Sequence, residues 1–218
     1  MVRAILDGKK TQTRRIIKPQ PALSKHKDIW WWGNKMGTHS ERGLHEMMCI
    51  NSPYGRDGGL LWVRENFYKY TGCQPKMMPK IRYMADDPVD VNQMNDFSCW
   101  SSGKPSIHMP RRASRIILEI KDIRIERLQD ISKEDAIAEG ITKVQIKNWN
   151  DVYIAGDHPP GLIDLEQPNS ADPVGAFQEL WESINGQDSW DANPFVWVVT
   201  FEPHICNIDE YLKRKEAA

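Results

Sequence analysis

This sequence has no apolar run approaching the roughly 20 residues that a membrane-spanning helix needs, and no signal-peptide pattern opens it. It contains no glycine-rich phosphate loop and no G-x-G-x-x-G turn, and no internal repeat. The four cysteines, Cys49, Cys73, Cys99 and Cys206, are scattered, with no C-x-x-C pair and no Cys/His cluster. A zinc site is therefore not expected, and without a secretory signal the thiols are expected to be reduced. Net charge is also missing: 29 Lys and Arg stand against 30 Asp and Glu, which argues against a generally basic nucleic-acid coat.

What is present suffices for a folded protein. Hydrophobic residues make up 40% of the chain and include nine tryptophans, enough to build a core. A length of 218 residues suits one decorated domain. The expectation is a globular, cytoplasmic protein with no membrane partner. Charge is balanced overall but not locally. Residues 1–27 carry eight Lys and Arg against Asp7 alone, whereas residues 128–191 carry 13 Asp and Glu against three Lys. Either the two segments meet, or the basic face is left for an anionic partner.

Val2–Asp7 reads as a short helix stopped by Gly8, and Thr11–Ile17 as a strand with Thr11, Thr13 and Arg15 on one face. Residues 22–59, with Trp30, Trp31 and Trp32, lack a clean period and read as a long loop. Strands are expected over Leu60–Tyr70, Lys80–Met84, Arg115–Leu128 and Phe195–Phe201. Ser132–Glu139 has a helix cap at Ser132, Asp135 in the capping-box position and a stop at Gly140. Asp172-Pro173 opens a second helix whose apolar stripe is Phe177, Leu180, Trp181 and Ile184, closed by Gly186. Residues 85–114 and 142–171 read as further loops, the latter with room for one short strand, and the end as a charged, frayed tail. Separate strands with few short helices and no regular βα alternation predict an α+β fold, a small barrel.

The segment Gly8-Lys9-Lys10-Thr11-Gln12-Thr13-Arg14-Arg15 resembles the G-[RK]-K-T-x-T-x-R signature of ASCH domains, members of the PUA-like superfamily. Leu60-Leu61-Trp62-Val63-Arg64-Glu65 after Gly58 is similar to that family's G-D-x-L-W-V-R-E strand. Ser106-Ile107-His108-Met109-Pro110-Arg111, Leu128–Ile141 and Asn193-Pro194-Phe195-Val196-Trp197-Val198 resemble the larger branch found in phages and prophages, often labelled morphogenetic. Gly59 stands where the family usually has Asp, and Arg112 where the branch often has an aromatic. Relatives often carry a short extra strand ahead of the position of Met1, so the resemblance implies a barrel one strand short here.

The resemblance implies a PUA-like small β-barrel with flanking short helices. It would be a single domain over residues 1–205, with insertions near 22–59, 85–114 and 142–171 and a charged tail over 206–218. It also implies a cleft suited to a nucleoside or RNA in a bacterial host cell. Some small ASCH proteins remove the acetyl group from N4-acetylcytidine, and their Lys-Thr-Glu set corresponds by motif position to Lys10, Thr13 and Glu139. That chemistry uses no metal and no cofactor. Other members are reported as ribonucleases, and related PUA-like domains bind RNA or modified bases without catalysis. A phage protein that binds a host protein through its loops is a further alternative.

Amide hydrolysis needs a nucleophile, a proton acceptor and positive charge at the developing oxyanion. Lys10 has Lys9, Arg14 and Arg15 beside it in sequence, and like-charge crowding favours the neutral amine that a base requires. On a straight strand Lys10 and Thr13 would face opposite ways, so Lys10 is expected on the turn after Gly8. Glu139 falls in the last turn of its helix, where the macrodipole disfavours an anion unless a cation such as Lys10 or Arg15 comes to it. In this expectation Glu139 orients Lys10 or relays a proton, Thr13 attacks, and Arg15 steadies the oxyanion or a phosphate. Lys9, Arg14, Arg64, His108 and Arg111 complete the candidate binding residues. Trp62, Trp181 and Trp197 read as core, and Trp30–Trp32 as candidates for stacking on a base or for a local anchor.

Overall fold

The computed structural model describes residues 1–24, 29–33, 37–72, 81–86, 100–145, 152–155 and 169–217. Cys73 and Cys99 lie outside the described residues, as do large parts of the three segments read as loops. The chain separates into two compact units. Unit 1 holds Arg3–Leu60 and Glu119–Glu202 with Met1, and unit 2 holds Leu61–Leu118 and Pro203–Ala218 with Val2. The fold is mixed α+β, with a curled antiparallel four-stranded half-barrel whose strand order is β1 (Gln12–Ile16), β11 (Phe195–His204), β7 (Ile117–Arg127) and β4 (Leu60–Trp62). No described helix is long and apolar enough to cross a membrane.

Unit 1 is organised around β11. Its run of apolar residues is buried on both faces, which is why it reads as a continuous hydrophobic stretch rather than an alternating one. Val196 and Val198 join Leu128, Phe177, Trp181 and Trp190 in the main core. On the opposite face Trp32 meets Trp197 edge-on at 5.9 Å, and Trp30 meets Phe195 at 5.8 Å. β1 pairs antiparallel with β11, Thr13 opposite Val199 and Arg15 opposite Trp197. A second sheet in this unit orders β10 (Asn169–Ser170), β9 (Val152–Ala155) and β8 (Ile141–Val144), where the sequence had suggested one short strand.

Three helices of unit 1 match their sequence signals. α1 (Val2–Leu6) is followed by Gly8 at φ +69°. α3 (Lys133–Ala138) is capped by the Ser132 hydroxyl, which accepts from the Asp135 N–H at 3.0 Å. α4 (Pro173–Asn185) starts at the Asp172 cap and ends at Gly186, φ +99°. Its stripe is narrower than expected: Phe177 and Trp181 are buried, but Ile184 is 60% exposed.

A fourth helix corrects the reading of residues 22–59 as loop. α2 (Glu41–Ile50) buries only Leu44 and Met48 and is capped by Ser40, so its apolar face is too thin to stand out in the sequence. β2 (Ala22–Leu23) and β3 (Trp30–Trp31) pair in the same region. Trp32 is buried and its indole N–H donates to the Pro19 carbonyl at 3.1 Å, while Trp31 is 44% exposed. Trp30 and Trp32 thus anchor the segment to β11, and Trp31 alone of the three faces solvent.

In unit 2 the strand expected over Leu60–Tyr70 is interrupted after Trp62 and resumes as β5 (Phe67–Lys69), which pairs with β6 (Ile81–Tyr83). Between them Glu65 turns inward, where Arg115 clamps it with bonds of 2.9 and 2.7 Å. The C-terminal segment expected to be a frayed tail instead forms α5 (Ile208–Glu216). Asn207 caps it and ties it down by donating to the carbonyls of Arg112 and Ser114 at 3.1 and 2.9 Å.

Candidate functional site

Lys10 lies just before β1, on a turn that the sequence geometry required. The N–H groups of Lys9 and Lys10 both donate to the Ala4 carbonyl, at 2.8 and 2.9 Å, folding the chain back onto α1. The Thr11 N–H then donates to Ala138 at the end of α3 (2.9 Å), which brings the turn against Glu139. Gly140 permits this approach: its φ is +99°, and a Cβ there would sit 3.4 Å from the Cβ of Lys10.

The Lys10 ammonium donates to the main-chain carbonyl of Glu139 at 2.7 Å and to its Oε2 at 2.5 Å. Both side chains are only 5% exposed. Burial is the largest influence on Lys10 and pulls its pKa down. The Glu139 carboxylate opposes that, the charges of Arg15 and Arg14 add to it, and the net direction is downward from the ordinary lysine value. The carbonyl bond also answers the puzzle of an anion at a helix C-terminus, because one ammonium serves both the carboxylate and the exposed helix end.

Behind the pair lies a charged network that the sequence did not reveal. Gln12 and Arg14 occupy the buried face of β1, and the Arg14 side chain is fully enclosed. It pairs with Asp135 at 2.8 Å and Glu126 at 3.0 Å, donates to Gln12 Oε1 at 2.5 Å, and stands 3.6 Å from Glu139 Oε1. Gln12 and Arg124 donate to Asp135 as well, at 3.0 and 2.8 Å. Burial alone would raise the Asp135 carboxyl. The bonds from Arg14 and Gln12, with the charges of Arg14 and Arg124, outweigh it and hold the group below the usual carboxylate range. Asp135 does not complete the capping box expected of it, because its carboxylate is spent on β1 and β7.

A cleft of about 250 Å³ opens over this arrangement, lined by Lys10, Thr13, Glu139, Arg14 and Arg15 from the motif. Lys18, Tyr54, Trp181 and Ile184 also line it. Arg15 and Lys18 are exposed, Thr13 is half-buried, and Arg14 is a buried support. No hydrogen bond among the described residues joins the Thr13 hydroxyl to Lys10 or Glu139. Burial pushes the Tyr54 phenol pKa up, against the charge of Arg15. Glu139 Oε1 and the Trp181 indole nitrogen are buried with no hydrogen-bond partner among the described residues.

The remaining candidates sit elsewhere. Lys9 is exposed and pairs with Asp7 at 3.3 Å. Arg64, His108 and Arg111 belong to unit 2. There the Arg64 guanidinium lies over Trp62 at 4.8 Å, and Arg111 pairs with Asp209 at 3.2 Å. Sequence reasoning missed Lys18 and Tyr54 in the cleft lining, and Gln12 and Asp135 in the buried network behind it. Only Asp135 had a local signal, and it pointed to a cap. No protein-family model, curated protein or solved structure matches this chain, so the geometry of the cleft carries the functional reading.

Proposed function

We propose that this chain is an ASCH-type amidohydrolase on a PUA-like barrel, acting on N4-acylated cytidine. The observation that carries the reading is the buried Lys10–Glu139 pair, with its depressed lysine, opening onto the same cleft as Thr13. A cleft of about 250 Å³ lies just below the roughly 300–1,000 Å³ usual for drug-sized ligands, a scale that suits one nucleoside.

In this mechanism the neutral Lys10 amine takes the Thr13 proton as Thr13 Oγ attacks the acyl carbon. The carbonyl π electrons move to oxygen, where the Arg15 guanidinium stabilises the oxyanion. The tetrahedral species collapses by breaking the bond to N4, and the Lys10 ammonium returns the proton to the departing amine. Water, deprotonated by Lys10, then releases the acid from Thr13. Glu139 holds Lys10 in place throughout, and the Asp135–Arg14 contact holds the strand beneath it.

The test is chromatographic assay of N4-acetylcytidine with wild type and with Lys10→Ala, Thr13→Ala and Glu139→Ala. Loss of turnover by about 10²-fold or more in each folded variant is expected. A folded wild type that releases no cytidine overturns the reading. The exposed Arg15 and Lys18 at the cleft favour one alternative, a non-catalytic module that holds RNA or a modified nucleotide there. It predicts binding without turnover in the same preparation.

A further inference from the structure

Unit 2 contains a separate cleft, of about 790 Å³. One wall is a single face of the β5–β6 ribbon. Phe67 is paired with Tyr83 and Lys69 with Ile81, so the two-residue period brings these four side chains to the same side. Phe67 is buried against Met109 and Ala113 and forms the floor, and Tyr83 is half-buried. Tyr83 is fixed from two directions: its hydroxyl donates to the Ala113 carbonyl at 2.7 Å, and the Arg115 guanidinium lies 3.9 Å over its ring. Lys104, His108 and Arg112 also line the cleft. Reciprocal backbone bonds of 3.1 and 2.8 Å tie Lys104 to Phe67, and Asn66 accepts from the Ser106 N–H at 2.8 Å at the start of the turn that bears His108.

Among the described residues charge in this cleft is unbalanced. Glu65 and Asp86 are committed to Arg115, and Asp209 to Arg111. Among the described residues the side chains of Lys69, Lys104 and Arg112 form no ion pair, and all three are exposed. Three cations with no ion pair among the described residues, around an apolar, aromatic wall, call for a ligand with an anionic part and a flat apolar part. An inorganic anion leaves the wall unused, and a neutral ring leaves the cations unused.

We propose that this cleft binds a nucleotide, either free or as one unit of a single strand. Its base lies against Tyr83 and Ile81, and its phosphate is held by Lys104, Arg112 and Lys69. This site is distinct from the proposed hydrolase cleft and does not rest on that reading.

The experiment is calorimetry with uridine monophosphate and with uridine, beside fluorescence anisotropy with a labelled oligouridylate, all at low salt. At least one phosphorylated probe is expected to bind much more tightly than uridine. Binding of the strand alone identifies a polymer site, and equal binding of the mononucleotide identifies a free-nucleotide site. The combined variant Lys69→Ala/Lys104→Ala/Arg112→Ala should weaken binding at least about tenfold, and each lost phosphate contact should make the salt dependence of the strand shallower by about 0.7 in log–log slope. Lys133→Ala, an exposed lysine outside the cleft, should change affinity by less than about twofold. The proposal is overturned if no phosphorylated probe binds, if the triple variant binds like wild type, or if Lys133→Ala costs as much as Arg112→Ala.

Discussion

Lys10 and Glu139, 129 residues apart, are joined twice, through the glutamate's main-chain carbonyl and through its side chain. Removing the carboxylate therefore strands a buried ammonium on a single acceptor. Glu139→Ala is expected to lose about 3–5 kcal/mol of stability, and Lys10→Met distinctly less, because the carboxylate it leaves still has the Arg14 guanidinium 3.6 Å away. Urea unfolding of both variants measures the asymmetry, and equal losses would show that Arg14 does not compensate the carboxylate.

Stability should also respond to pH through Lys10. Its folded pKa lies below the ordinary 10.5, so between the two values the unfolded chain carries a proton that the folded chain has released. Stability contributed by this group must then rise with pH across that window. The wild-type curve should climb relative to Lys10→Met as pH approaches 10.5. Parallel curves would show that the pair stays charged throughout.

Asp135 acts with the same sign at the acid end of the scale. Its depressed pKa gives stability that is fully present above the ordinary 3.8 and is lost as pH falls through the folded value. Asp135→Asn should flatten the acid limb, and Asp135→Ala should cost about 1–3 kcal/mol at neutral pH by leaving donors of Arg14 and Gln12 short of an acceptor. Acid titration followed by circular dichroism tests both.

Gly140 is the hinge on which Lys10 and Glu139 meet. At φ +99°, with Lys10 Cβ only 3.4 Å from a new Cβ, Gly140→Ala should lose about 1–3 kcal/mol. It should lower turnover of N4-acetylcytidine beyond what the stability loss explains, because both partners shift. Activity measured well below the variant's melting temperature separates the two effects.

Much of unit 1 was readable because local signals and tertiary needs coincide. Phe195–Phe201 reads as a strand and lies within β11. Asp172-Pro173 reads as a helix start, and Gly8, Gly140 and Gly186 as stops. What escaped reading depended on distant partners. Along β1 both faces are polar, so nothing local says that Gln12 and Arg14 turn inward; acids on β7 and α3 decide that. The Ser132 cap was visible, yet the carboxylate of Asp135 went to a strand more than a hundred residues earlier. Helix α2 escaped because two buried side chains are enough to hold it against its neighbours but too few to mark a period. Trp30 and Trp32 could have been platforms or anchors by composition, and only Phe195 and Trp197 on β11 separate the two.

The pairing of Thr13 with Val199 has a consequence for how the protein is made. The motif leaves the ribosome well before its partner strand, because Thr13 and Val199 lie far apart in the chain. At about 5–20 residues per second, Lys10, Thr13 and Arg14 wait on the order of ten to forty seconds before β11 arrives to order them. A nascent chain halted between the motif and that strand presents an unpaired basic segment, so the cleft comes into being only once β11 has been made.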